Sequence, residues 1–204
     1  MLKKPVIIFE GIETSGKSTN IKIASNYLKS INRNFVKIRE PGGSKFSEKI
    51  RNIILNKKSN LNIKTDLLLM LASRSENIDK ILKKNYKKKI ILIDRFSDST
   101  FAYQHYGMNL DFKMISQINK FIIGEFKPNL TFLSVVRKND MKKRLNSRKH
   151  KNKYDKFNYS FYKKVQKGYL QLSKNKKKYV ILDSSKYNIN DIRKKIINSL
   201  TKVI

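Results

Sequence analysis

PVIIFEGIETSGKSTNIKIA, Pro5 to Ala24, passes from an apolar run through a glycine-bounded loop into a stretch with helical spacing. Inside it GIETSGKS, Gly11 to Ser18, fits the pattern G-x-x-x-x-G-K-[ST], with a strand-like run before it and a helix-like run after it. Glycines let such a loop curl so that successive amides point inward, and the helix N-terminus adds partial positive charge at the same spot. That arrangement predicts a nucleoside triphosphate site over Gly11, Ile12, Glu13, Thr14, Ser15, Gly16, Lys17, Ser18 and Thr19. Lys17 would reach the β- and γ-phosphates and the Ser18 hydroxyl would ligate Mg²⁺.

Working outward, the same switch of pattern recurs along the chain. Short runs rich in β-branched and aromatic residues occur at VIIFE, NFVKIR, KIILIDR, LTFLSVV and KYVILD. Helical spacing fills the gaps at 18–28, 45–55, 65–82, 111–123, 140–146, 158–172 and 189–200. Strands this continuously apolar, joined by helical crossovers, predict an α/β fold: a five-stranded parallel sheet with helices on both faces. No repeat or linker divides the 204 residues, so one domain over 1–204 is expected. One stretch stands apart. SRKHKNKYDK, Ser147 to Lys156, is polar, basic and without helical periodicity, and reads as either a surface loop or a short mobile lid at about 147–157.

The chain has no cysteine, which excludes disulfides and thiolate metal sites and fits a reducing, cytoplasmic setting. The N-terminal MLKKPVIIFEG meets Glu10 too early for a signal peptide, and no apolar stretch is long enough to span a membrane. The formal net charge of +32 would ordinarily point to nucleic acid. Its lysines are instead scattered, as in LKKNYKKKIILID and SKNKKKYVILD, with no aromatic-interleaved basic motif. A global compositional bias is the reading, with no specific nucleic-acid partner and no membrane partner.

A GTPase would need Asn-Lys-x-Asp at the end of a strand. The string Asn152-Lys153-Tyr154-Asp155 follows LNSRKHK rather than an apolar strand, and no Asp-x-x-Gly follows the strand at 89–94. That third strand ends instead in Asp94-Arg95. A carboxylate at the C-terminal end of a parallel strand lies in the crevice where ligands bind. Asp94 can hold Mg²⁺ through water, and Arg95 can bridge donor and acceptor phosphates. With the phosphate loop, the pair points to phosphoryl transfer onto an acceptor that is itself anionic.

Six blocks run in order along almost the full length of the chain: FEGIETSGKST, REPGGSKFSEKIRNIIL, DLLLMLASRSENI, IDRFSDSTFAYQHYG, KPNLTFL and DKFNYSFYKKVQKGYLQL. On these blocks the chain resembles the bacterial thymidylate kinases. The resemblance implies ATP + dTMP → ADP + dTDP with Mg²⁺, a step of dTTP synthesis, in a homodimer. The chemistry agrees. A monophosphate is largely dianionic at neutral pH, so no strong general base is needed, and repulsion between two polyanions calls for arginines.

By the same resemblance Arg39, Arg51 and Arg95, with Pro41 beside them, surround the acceptor phosphate. Arg74 hydrogen-bonds thymine, and Thr100 and Gln104 read the base edge. Tyr103 packs near the sugar's 2′ carbon and leaves no room for a ribose hydroxyl. Glu13 and Glu40 are both candidates for the 3′-hydroxyl or for metal-bound water. The expected catalytic set is Lys17, Asp94, Arg95, Arg148 and Glu13. Two positions depart from the family's pattern. Met70 stands where a Phe stacks on thymine, and Lys156 stands where the lid's Asp-Arg pair would place an arginine. With Thr14 in the phosphate loop instead of arginine, Arg148 carries the lid's charge, assisted by Lys153 and Lys156. The nearest alternative is another phosphate-loop nucleoside or nucleotide kinase. A nucleic-acid-binding protein that uses ATP as a switch is the reading from another class.

Overall fold

The computed structural model describes residues 4–149, 151–174 and 177–204. Five strands, β1 (Val6–Gly11), β2 (Phe35–Arg39), β3 (Ile90–Asp94), β4 (Leu130–Val135) and β5 (Tyr179–Asp183), form one sheet in the order β2-β3-β1-β4-β5 with every pairing parallel. Every residue of β1 and β4 is buried, as is all of β3 except Asp94. Strands covered on both faces are apolar at most positions on both, which is why their sequences show no polar-apolar alternation. The register sets Phe9 beside Asp94 and Gly11 beside Ser134. The C-terminal ends of the three central strands therefore open into one crevice, directly under the phosphate loop.

The period-2 geometry of β1 divides the core. Ile7 and Phe9 join Leu92 and Phe132 under α1 (Lys17–Ser30) and α9 (Ile189–Leu200), against Ile21, Leu28, Ile192 and Ile196. Val6 and Ile8 join Ile91 and Ile93 on the opposite side, against Ile78, Leu82 and Phe126. The remaining helices are α2 (Lys45–Leu55), α3 (Ile63–Asn77), α4 (Lys83–Asn85), α5 (Ser97–Thr100), α6 (Phe112–Ile123), α7 (Lys138–Asn146) and α8 (Tyr159–Ser173). Asparagine caps several of them: Asn62, Asn158 and Asn188 each accept backbone N–H bonds at the starts of α3, α8 and α9. Among the described residues no helix is long and apolar enough to cross a membrane.

Two stretches differ from the sequence expectation. Residues 97–107 carry no helical period, yet α5 runs on as a π-helical turn over Phe101–Gly107. The wider turn faces α8 so closely that a Cβ at Gly168 would sit 2.5 Å from the Tyr106 ring. Packing of that kind overrides the 3.6-residue pattern, and π-turns concentrate at functional sites. The polar stretch 147–156 is also less irregular than expected. Lys153–Lys156 forms a 3₁₀ turn with Tyr154 and Asp155 buried, closed by a reciprocal Asn152–Asp155 capping box. His150 lies outside the described residues.

Glu10 lies in the middle of the sheet, fully buried. It accepts bonds from Phe96 N (2.8 Å) and Ser99 Oγ (2.6 Å). Burial, and then the charge of Asp98, push its carboxyl up to about 7. A folded-state pKa above the unfolded value means that folding takes up a proton. The stability this contributes is complete below about pH 4.5 and is lost as pH rises through about 7. Thermal melts of the wild type and Glu10→Gln between pH 5 and 8 should show the wild type losing ground to the variant as pH rises. Parallel pH profiles would show that Glu10 does not titrate in this window.

Candidate active site

The cleft above the strand ends encloses about 930 Å³ and is lined from the phosphate loop, β2, β3, α3 and the π-turn. The loop is fixed by close approach. A Cβ at Gly11, where φ is +139°, would lie 2.3 Å from the carbonyl oxygen of Ser134 on β4. Ser15 Oγ donates to Ile12 O at 2.8 Å, and Thr14 turns the chain with φ of 57°. Lys17 folds back over the loop, its Nζ donating to Gly11 O (2.9 Å) and Ile12 O (2.8 Å). Burial, aided by the charge of Arg95, lowers its pKa to about 8. Ser18 and Thr19 stand exposed at the first turn of α1.

Asp94 ends β3 with Oδ1 buried and without a hydrogen-bond partner among the described residues. Among the described residues no three His, Cys, Asp or Glu side chains cluster to hold a cation unaided. A lone carboxylate oxygen and a serine hydroxyl suit Mg²⁺, which keeps several waters and takes other oxygens from phosphates.

Arg95 follows in the left-handed region, φ 67°. Its guanidinium donates to Glu13 at 2.9 Å and lies over the Tyr103 ring, 5.1 Å from the centroid. Tyr103 Oη donates to the other Glu13 oxygen. Glu13, Arg95 and Tyr103 thus form one unit between the phosphate loop and the rest of the cleft.

On the acceptor side Arg51 donates to Pro41 O at 2.6 Å, and exposed Arg39 pairs with Glu48 at 2.9 Å. Arg74 is 3% exposed. Its Nε donates to Glu40 (2.7 Å), Nη1 to Thr100 Oγ1 (2.9 Å) and Asn119 Oδ1 (2.6 Å), and Nη2 to Phe96 O (2.9 Å). Four of its five N–H groups are therefore committed within the protein. Burial pushes the Glu40 carboxyl above the usual carboxylate range, against the pull of Arg74. Met70 Sδ accepts from Gln104 Nε2 at 3.4 Å, and Gln104 Oε1 is buried without a partner among the described residues.

All the loop and acceptor residues expected from sequence line this cleft apart from Gly11 and Ile12, which lie beneath it. Of the lid cations Arg148 lines it, with Nη1 donating to Asp155 at 2.7 Å. Lys153 and Lys156 do not. Lys153 pairs with buried Asp66 on α3 (2.7 Å), and Lys156 donates to Lys57 O at 3.0 Å. Sequence reading missed Arg144, which joins three segments. It donates to Thr14 O (3.1 Å), Ser184 Oγ (2.8 Å) and Ser184 O (3.0 Å). Arg39, Arg51 and Arg95 came from the family resemblance, whereas the signal that could have found Arg144 is that arginine is the minority cation in a lysine-rich chain.

A phosphate loop, a carboxylate closing the neighbouring strand and arginines converging from three further elements define a phosphate-loop kinase for an anionic acceptor. The Thymidylate kinase family model matches residues 9–196. A thymidylate kinase of Sulfurihydrogenibium sp. (strain YO3AOP1) is 40% identical over 197 residues, 95% of each chain. One of Wolbachia pipientis wMel is 38% identical over 200 residues, 96% of this chain and 99% of that one. The crystal structure of thymidylate kinase from Ehrlichia chaffeensis superposes with a TM-score of 0.79 at 33% identity, covering 98% of this chain and 99% of that one. The chain belongs to the thymidylate kinase family.

Proposed function

We propose that the protein transfers the γ-phosphoryl group of ATP to the phosphate of dTMP, giving ADP and dTDP. The observation that carries this reading is the placement of Arg95. It lines one cleft with the phosphate loop, Arg39 and Arg51, and its guanidinium donates to Glu13 of that loop. In-line transfer between two anions depends on positioning and charge neutralisation. Lys17 swings from its two carbonyls onto the β- and γ-phosphates. Arg95 spans donor and acceptor, with Arg39 and Arg51 orienting the dTMP phosphate and Arg148 adding charge from the lid. Ser18 and Asp94 would hold Mg²⁺, which would supply positive charge to neutralise the phosphates. No side chain is asked to abstract a proton, because the acceptor oxygen is already ionised.

Gln104 Oε1 is the acceptor available to thymine N3–H, and the remaining Nη2 proton of Arg74 is a donor for a base carbonyl. Met70 replaces flat stacking with a thioether contact. Glu13, bound to both Arg95 and Tyr103, belongs to the phosphate and sugar side. Glu40 serves Arg74. Exposed Leu68 of α3 and Phe121 of α6, on two helices that pack together, offer apolar surface in support of a homodimer.

Coupled ADP release across a panel of nucleosides and nucleoside monophosphates tests the reading, with dTMP expected to give the highest kcat/KM. Preference for unphosphorylated thymidine would overturn it. Tyr103 supplies a finer test. Its ring leaves no hydrogen-bond partner for a 2′-hydroxyl, and burying an unpaired hydroxyl costs about 1–3 kcal/mol. Tyr103→Phe keeps the ring and should keep the deoxyribose preference, whereas Tyr103→Ala should reduce it by about tenfold or more. An unchanged ratio in the alanine variant assigns sugar selection elsewhere.

A further inference from the structure

We infer that Tyr169 and Ser99, both held by Glu10, are positioning residues that aim the Arg95 guanidinium. The inference rests on the proposed role of Arg95 at the phosphates. Glu13 fixes only one end of that side chain, through Nη2. Nη1 is directed at Tyr169 Oη (3.2 Å) and Ser99 Oγ (3.4 Å). The two hydroxyl oxygens lie 2.7 Å apart, and both meet Glu10 Oε2, at 3.1 Å from Tyr169 and 2.6 Å from Ser99. With each hydroxyl proton given to Glu10, the lone pairs that remain face Arg95, which can only donate.

The other Glu10 oxygen accepts from Phe96 N (2.8 Å) and Ser99 N (3.3 Å). One carboxyl in the sheet thus anchors the backbone that follows Arg95 and also the two hydroxyls that receive its side chain. Arg95 needs such an anchor, because its left-handed backbone is a conformation that a non-glycine residue holds only when its surroundings enforce it. Tyr169 is 1% exposed on α8 and does not line the cleft, so its hydroxyl acts on substrate only through Arg95. It also ties Arg95 to the helix that follows the lid.

The test compares Tyr169→Phe, Ser99→Ala, Arg95→Ala and the double variant Tyr169→Phe/Arg95→Ala, reading kcat, KM for each substrate, and melting temperature. Tyr169→Phe should lower kcat about tenfold to a hundredfold, the scale of a misaimed catalytic group, while KM for ATP stays put. In the Arg95→Ala background the same change should do nothing further. Undiminished kcat in both Tyr169→Phe and Ser99→Ala overturns the inference. So does an equal fold-loss with and without Arg95, which marks a merely structural hydroxyl. Should Tyr169→Phe fail to fold, Ser99→Ala and its double variant with Arg95→Ala carry the same comparison. If Arg95→Ala itself keeps its kcat and its KM for dTMP, the role of Arg95 fails, a result separate from silence of the hydroxyl variants alone.

Discussion

Lys17→Ala is expected to leave a folded protein whose phosphoryl transfer has fallen by about 10³-fold or more. The ammonium now rests on Gly11 O and Ile12 O, two carbonyls of a loop already braced by Ser15 and by contact with β4. Removing it costs the fold little. Burial already works against its charge, holding its pKa near 8 rather than 10.5. Its melting temperature should therefore match or exceed that of the wild type, while single-turnover transfer collapses. Charge accumulates on the oxygens of the transferred group, and among the described residues no other lysine lines the cleft. Turnover close to wild type in a folded Lys17→Ala protein would remove the phosphate loop from the mechanism.

Arg74→Ala should act chiefly on stability. It strands Glu40 as a buried carboxylate and leaves Thr100, Asn119 and the Phe96 carbonyl without their donor. Breaking a buried ion pair from one side costs about 3–5 kcal/mol. For a chain of this length that lowers the melting temperature by roughly 6–20 °C. Adding Glu40→Gln should restore part of the loss, since a neutral amide no longer buries a charge. A melting temperature within a few degrees of wild type would mean that water reaches Glu40 in the variant. Arg74 was read from sequence as a base contact. With one N–H left over, it is first the tie that joins β2, α3, α6 and the turn after β3.

The sheet was legible because its central strands are buried on both faces and so are written as unbroken apolar runs. The phosphate loop was legible because its spacing is dictated by local backbone geometry. Asp94 and Arg95 were legible as strand-end residues, since parallel strands deliver such positions to one crevice, whereas Arg39 was legible only through the family resemblance. What stayed hidden depends on contacts far apart in the chain. Arg144 meets Ser184, and Tyr169 meets Arg95, only through the tertiary fold. The π-turn at 101–107 answers to packing against α8, which no local pattern encodes. Lys153 and Lys156 looked like further charges for the phosphates. Their true partners, Asp66 and the Lys57 carbonyl, lie on and beside α3, nearly a hundred residues earlier.

Asp66, Met70 and Arg74 stand at intervals of four along α3 and so form a single stripe of one helix. Lys153 and Tyr154, arriving from beyond β4, both end on the first of these residues. Under the proposed function the other two face the base. The segment proposed to cover the donor and the helix proposed to read the acceptor therefore share one rigid rod. Any displacement of that rod is felt at both ends, and linkage is reciprocal. The free energy by which an occupied base pocket favours a seated lid equals that by which a seated lid favours an occupied pocket.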